Sequence, residues 1–259
     1  MAGMKDAPAM YRGLRWSLPK VLIPYLKMSI EGAENIPVDQ PYIVAANHLS
    51  FIDSIVLPIS MTRPIYYLAK ADYFDSWRTR WFFRGVGCVP TKRDAGEGRG
   101  ALETGVEILR SGDPVGIYPE GTRSPDGRLY RGKTGPVRMA LEADVPIIPI
   151  GIEGTDKAMP TGARGLVRHP VTVRIGEPLD LSRYRDQRED PFVLRAATDE
   201  LMFEIMMLSG QEYVDEYASK VKRGEVDVET VRIEDLPLSA EAVSESEGEP
   251  SAPEGRAAG

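Results

Sequence analysis

The feature that most constrains this chain is an alternation. Short apolar runs of four to six residues give way to polar loops and then to stretches with helical spacing. Segments 42–46, 65–68, 115–118, 147–152 and 171–175 are rich in Val, Ile and Tyr and read as strands. Segments 100–109 and 194–208 read as helices, and in the second Leu194, Ala197, Leu201, Ile205 and Leu208 share one face. Such alternation predicts an α/β fold: a mixed, mostly parallel sheet flanked by helices, in a single domain. In sheets of that kind, chemistry collects on the loops that follow the C-terminal ends of the strands.

The ends differ from the body in charge. Residues 1–30 hold five bases and one acid, whereas 224–259 hold ten acids and two bases. Three segments follow: a basic amphipathic stretch over 1–30, a globular domain over 31–223 and an acidic tail over 224–259. From about 237 the tail has too few large apolar side chains to offset chain entropy, so disorder is expected. Within 11–30, Trp16, Tyr25 and several aliphatic residues sit among bases. That composition suits the headgroup region of an anionic membrane, and equally a first helix packed on the core. Pro19 and Pro24 argue against one unbroken helix there. No run of 18 apolar residues predicts a membrane span, and no signal-peptide pattern opens the sequence. The single cysteine, Cys88, excludes an intramolecular disulfide, and two histidines are too few for a His-rich metal site. No resident cofactor, metal or nucleic-acid partner is expected.

Two strand–loop junctions carry candidate chemistry. The run 42–46 leads into Asn47-His48-Leu49-Ser50-Phe51-Ile52-Asp53. A histidine at a strand end stands on the sheet rim, and an aspartate five residues on can fold back onto it. The carboxylate would fix the tautomer and support the imidazolium, which makes a general base. The same spacing also fits a histidine that merely caps the next helix. No Gly-x-Ser-x-Gly elbow occurs, Ser50 has no evident activator and Cys88 lies in an apolar run. A base without an enzyme nucleophile points to direct activation of a substrate hydroxyl.

The run 115–118 leads into Pro119-Glu120-Gly121-Thr122-Arg123-Ser124. Gly121 permits close approach of the backbone, and Arg123 offers a fork for an oxyanion. Arg128, Arg131, Lys133 and Arg138 follow, and Lys92 and Arg93 stand after the apolar run 86–90. So many cations in a chain of net charge −7 suggest a phosphate-bearing substrate, or a solvated basic face. Residues 127–134 formally match the P-loop pattern G-x4-G-K-[ST]. A P-loop leaves a strand directly, however, and here a Pro-Asp-Gly turn intervenes.

Together these residues resemble the glycerolphosphate acyltransferase superfamily, most closely bacterial 1-acylglycerol-3-phosphate acyltransferases. Four blocks match in order: Asn47-His48-x4-Asp53, Gly87-x5-Arg93, Tyr118 to Ser124, and Val145 to Ile150, with Lys133 and Gly135 as a Lys-x-Gly element. The second block departs from the family pattern, with Lys92 where Asp is common and Pro90 where an aromatic is common. The resemblance implies a mechanism. His48, oriented by Asp53, would deprotonate a free hydroxyl of lysophosphatidic acid as it attacks an acyl thioester, either acyl-CoA or acyl carrier protein, giving phosphatidic acid. The phosphate would rest on Arg93, Lys133 and Arg123, with Glu120, Gly121 and Thr122 lining the acceptor pocket. It also implies a place in phospholipid biosynthesis, and because substrate and product live in the bilayer while no span is legible, the basic segment 11–30 is expected to dock the chain monotopically on the cytoplasmic face of the plasma membrane. Glycerol 3-phosphate or another polyol remains an alternative acceptor, and a phospholipid-binding module without turnover remains an alternative class.

Overall fold

The computed structural model describes residues 9–69, 75, 87–91, 97–163 and 165–227. Internal packing divides the chain into Met1–Glu225 and Val226–Gly259, and the fold is that of the first unit. The acidic tail beyond residue 227 lies outside the described residues.

Among the described residues, seven strands form one sheet. In order across it lie β1 (Ser29–Glu31), β8 (Thr172–Ile175), β7 (Ile147–Glu153), β2 (Ile43–Ala46), β5 (Val115–Ile117), β3 (Tyr66–Ala69) and β4 (Cys88–Pro90). Every neighbouring pair is parallel except β7 with β8, so the sheet is mixed and mostly parallel, as expected. Among the described residues the helices are α1 (Ala9–Tyr25), α2 (Asp53–Ser60), α3 (Glu97–Arg110), α4 (Gly135–Ala143), α5 (Thr155–Ala158), α6 (Pro191–Ser209) and α7 (Ala218–Lys222). A parallel two-stranded ladder joins β6 (Leu129–Tyr130) to β9 (Tyr213–Val214).

Strand β2 lies at the centre, paired with β5 on one side and β7 on the other. All four of its residues are fully buried, which is why its sequence is a continuous apolar run rather than an alternating one. Val44 and Ala46, with Ile148, Ile150 and Ile152, pack towards Leu22, Leu26, Val56 and Leu57 around α1 and α2. Ile43 and Ala45 face the other way, onto Val106, Leu109, Met139, Leu201 and Ile205 of α3, α4 and α6. Helix α6 is bounded by its own sequence. The Asp190 carboxylate accepts from the Phe192 amide at 2.8 Å, and Gly210 closes the far end at φ +69°.

Helix α1 corrects one expectation, because Pro19 and Pro24 both lie inside it. Each removes one backbone bond, and tertiary contact outweighs that loss. Leu22 and Leu26 are buried, and the Arg15 guanidinium donates to the carbonyls of Pro58 (2.6 Å) and Met61 at the end of α2. Strands β1 and β4, three residues each, carry too little periodicity to be legible.

Helix α6 approaches β7 at Gly151, where an added Cβ would lie 2.4 to 2.6 Å from the backbone of Leu208 and Ser209. Backbone cannot step aside as a side chain can. Gly151→Ala is therefore expected to cost about 1–3 kcal/mol through overpacking, read as a lower denaturant midpoint at unchanged slope. An unaltered midpoint would show that α6 does not depend on this contact.

Candidate active site

Strand β2 delivers His48 to the rim, and the side chain of Asn47 sets where it leaves the sheet. Asn47 donates to the Ile152 carbonyl at 2.8 Å and accepts from the Ile152 amide at 2.7 Å. An amide side chain thus continues the β2–β7 pairing one residue beyond the backbone ladder. Gln211 accepts from the same Asn47 nitrogen at 2.7 Å. Asn47 stands in the first sequence block, but its bridging role carries no local signal, and neither does the remote Gln211.

Asp53 is the first residue of α2 and is fully buried. Its Oδ2 accepts from His48 Nδ1 at 2.8 Å and from the amides of Leu49 at 2.7 Å and Ser50 at 2.8 Å. With Nδ1–H committed to the carboxylate, the lone pair open to a proton is on Nε2. The imidazole keeps 15% of its surface, enough for a substrate to reach it. The nearby thiol and hydroxyl are not competing nucleophiles. Ser50 Oγ donates to the Met159 carbonyl at 2.6 Å, and burial pushes the Cys88 thiol up to about 12.

The second loop folds against the first. Tyr118 stacks on His48, with ring centroids 3.9 Å apart and planes 11° from parallel, and Tyr67 stacks beyond it at 5.9 Å. The Ser124 amide donates to the His48 carbonyl at 2.7 Å. Glu120 sits behind the site instead of lining the acceptor pocket. It is 1% exposed, its Oε1 accepts from the His48 amide at 3.0 Å and its Oε2 from the Tyr130 amide at 3.0 Å. Burial pushes its carboxyl up to about 7, against the pull of those two amides.

The expected cations sort by partner. Arg128 pairs with Asp126 at 2.6 Å and Arg131 with Asp215 at 3.5 Å, so both are partly neutralised. Lys133 is exposed, and its ammonium lies across Gly121, where an added Cβ would come within 2.8 Å of Nζ. Gly121 holds φ +72°, a conformation that favours glycine. Arg123 and Thr122 flank it on the same turn. Arg93, expected to share the phosphate, lies outside the described residues, as does Lys92. The P-loop match does not form a phosphate cradle. The amides of Gly127, Arg128, Leu129, Tyr130, Arg131 and Lys133 all donate within the protein, which leaves that run without the free donors a P-loop needs.

The Glu120 arrangement yields a stability prediction. Its folded value of about 7 stands above the ordinary 4.5, so the folded protein binds the extra proton between those values. Its contribution to stability is therefore full below about pH 4.5 and lost as pH rises to about 7. Glu120→Gln should remove that slope. It should also cost about 1–3 kcal/mol, since one amide acceptor is replaced by a donor facing a backbone N–H. Unfolding free energy measured from pH 4 to 8 in both proteins checks this, and parallel curves would refute it.

Residues 27–153 match the family model described as Acyltransferase. A chloroplastic 1-acyl-sn-glycerol-3-phosphate acyltransferase of Arabidopsis thaliana, LPAT1, is 37% identical over 165 residues, covering 62% of this chain and 46% of that protein. The chain thus spans about half the length of that plant relative. The 1-acyl-sn-glycerol-3-phosphate acyltransferase of Bacillus subtilis is 29% identical over 59% of this chain and 73% of its own. The crystal structure of the Thermotoga maritima 1-acyl-sn-glycerophosphate (LPA) acyltransferase, PlsC, superposes with a TM-score of 0.52 at 29% identity, covering 73% of this chain and 81% of that one. Residues 27–153, the stretch that matches the Acyltransferase family model, hold the His48–Asp53 pair and the Glu120 loop.

Proposed function

We propose that this chain is an enzyme that acylates the free hydroxyl of 1-acylglycerol 3-phosphate from an acyl thioester, carried by CoA or by acyl carrier protein, to give phosphatidic acid. The observation that carries the reading is the 2.8 Å bond from His48 Nδ1 to a fully buried Asp53 at a strand rim. Nearby, the glycine turn carries Arg123 and Lys133. His48 Nε2 takes the hydroxyl proton as the oxygen attacks the thioester carbonyl. The tetrahedral intermediate collapses with loss of the thiolate, which recovers the proton from the imidazolium. Asp53 supports that cation, and the Tyr118 ring stacked on it adds a cation–π contribution. The phosphate rests on Arg123 and Lys133, so positioning of two bound substrates shares the barrier reduction with the base.

We further propose that the protein works at the cytoplasmic face of the plasma membrane, held there by the outer side of α1. No helix among the described residues is long and apolar enough to cross a membrane. Helix α1 nevertheless shows Trp16 at 71% and Val21 at 63% exposure, with Lys20 Nζ 3.4 Å from the Trp16 ring centre. An apolar cleft between α1 and α2, lined by Leu14, Leu18, Ile55, Pro58 and Ile59, passes Ser54, next to Asp53. Its apolar walls suit an acyl chain.

His48→Ala is expected to lower kcat at least a hundredfold, within the range of a general base. Asp53→Asn should lower kcat severely while keeping the two backbone bonds to Leu49 and Ser50. The measurement is thioester release with lysophosphatidate, with phosphatidic acid identified as product. Retention of more than about a tenth of the wild-type kcat by His48→Ala would remove the base from the mechanism.

The membrane reading has its own test. Because Leu22 and Leu26 belong to the core, substitution is preferable to deletion. Trp16→Ser with Val21→Ser should reduce flotation with anionic liposomes at high salt, where only apolar burial remains. If the folded double variant floats as the wild type does, another face holds the membrane.

A further inference from the structure

Beyond the family segment, at the other end of the unit, α7 brings a lysine back to the glycine turn. Lys222 Nζ donates to Thr122 Oγ1 at 3.0 Å and to the Arg123 carbonyl. These partners are remote in sequence: Thr122 lies 100 positions away and Arg123 lies 99. The family match ends at residue 153, so nothing in the matched blocks anticipates this contact.

The electrostatics of the turn are unbalanced. Lys133 lies across Gly121, Arg123 follows two residues on, and Lys222 closes over both Thr122 and Arg123. Among the described residues, none of these three cations has a carboxylate within ion-pair distance, whereas neighbouring Lys220 and Arg223 pair with Glu216 and Glu225. Glu120, next to this turn in sequence and felt by Lys222, is buried and spends both oxygens on backbone amides. Burial lowers the Lys222 ammonium and the like charge of Arg123 lowers it further, against the opposing pull of Glu120. Three cations around one turn, with no carboxylate in ion-pair contact and Glu120 spent on backbone amides, are stabilised by an anion from outside. An ammonium also has three donors, and two of those on Lys222 are already placed.

We propose that Lys222 is a third ligand for a phosphate monoester, that of the acceptor, bound with Arg123 and Lys133, so that α7 is part of the acceptor site. The assignment rests on the acyl-transfer reading for its substrate, though not for the anion site itself. Lys222 anchors the turn with two donors and offers the third to the phosphate.

Two measurements on the full chain separate the ideas. The first is kinetic, on Lys222→Gln and Lys222→Arg. The KM for lysophosphatidate should rise about tenfold or more in the Gln variant, the loss expected for a charge-assisted contact. It should recover substantially in the Arg variant, while the KM for the thioester stays as in the wild type. Uncharged monoacylglycerol, as a poor acceptor, should show no matching rise. An equal rise for monoacylglycerol would mean that Lys222 only tethers the turn, and a rise confined to the thioester would give the phosphate to CoA. Either result overturns the proposal.

The second measurement is equilibrium titration with glycerol 3-phosphate, which needs no turnover. Weaker binding in Lys222→Gln, with rescue by Arg, supports the site even if the wild type transfers no acyl group, in which case the catalytic reading fails alone. Binding unchanged by Lys222→Gln in a protein that does transfer acyl groups sinks the Lys222 proposal and leaves the catalytic reading standing.

Discussion

A carboxylate without access to solvent must find its donors inside the fold, and the site depends on how Asp53 and Glu120 do so. Asp53 gathers the amides of Leu49 and Ser50 together with His48 Nδ1, all on one oxygen. Glu120 gathers the amides of His48 and Tyr130. The loop after β2 is therefore held at three consecutive amides by two acids from different directions. Leaving any of these donors unpaired in the interior would cost a few kcal/mol. That penalty is what fixes the imidazole, more than any contact the imidazole makes itself.

The two acids differ in what they can do for a proton on His48. Asp53 bonds the ring directly, so its charge acts where the imidazolium forms. Glu120 reaches only the backbone, and burial raises it to about 7, so near neutrality it is partly uncharged. Two fully ionised carboxylates beside one another would repel across a medium of low dielectric. Burial of Glu120 relieves that conflict while keeping its acceptor geometry. Tyr118 completes the arrangement as a flat, neutral wall 3.9 Å from the imidazole, with burial holding its phenol well above its ordinary range.

The sequence made the centre of this fold legible and its margins opaque, for identifiable reasons. Strands β2, β5, β7 and β8 announce themselves because buried strands need continuous or alternating apolar residues. Helices α3 and α6 do so through their spacing. The edge strands β1 and β4 are too short for any period. Helix α1 is misread because proline propensity is a local rule, and Leu22 with Arg15 overrides it through contacts with α2 and the sheet. In the site, the His48–Asp53 pair is visible since both ends lie within one turn of chain. Glu120 is visible as a residue but not in its role, because nothing local says whether a carboxylate faces a pocket or two amides. Lys222 has no local signature at all.

The placement of these parts also bears on how a bilayer substrate could reach His48. Phe51, three residues from the base, is 47% exposed, and the neighbouring Ser50 is tied to Met159. The segment after Met159 leads to Leu166, whose carbonyl accepts from Tyr25 Oη of α1 at 3.1 Å. Val167 beside it is 57% exposed, and Val21 and Trp16 continue outwards along α1. Exposed apolar side chains are ordinary when scattered, but here the His48 loop is tied to Met159 and α1 is tied to Leu166. The cationic turn carries Lys133 and Lys222 on its solvent-exposed side. A lysophosphatidate has the matching polarity, an acyl chain that stays with the apolar surface and a phosphate that seeks cations. Its free hydroxyl, the group on which His48 is proposed to act, lies between those two ends. The proposed reaction thus asks the substrate to leave neither environment.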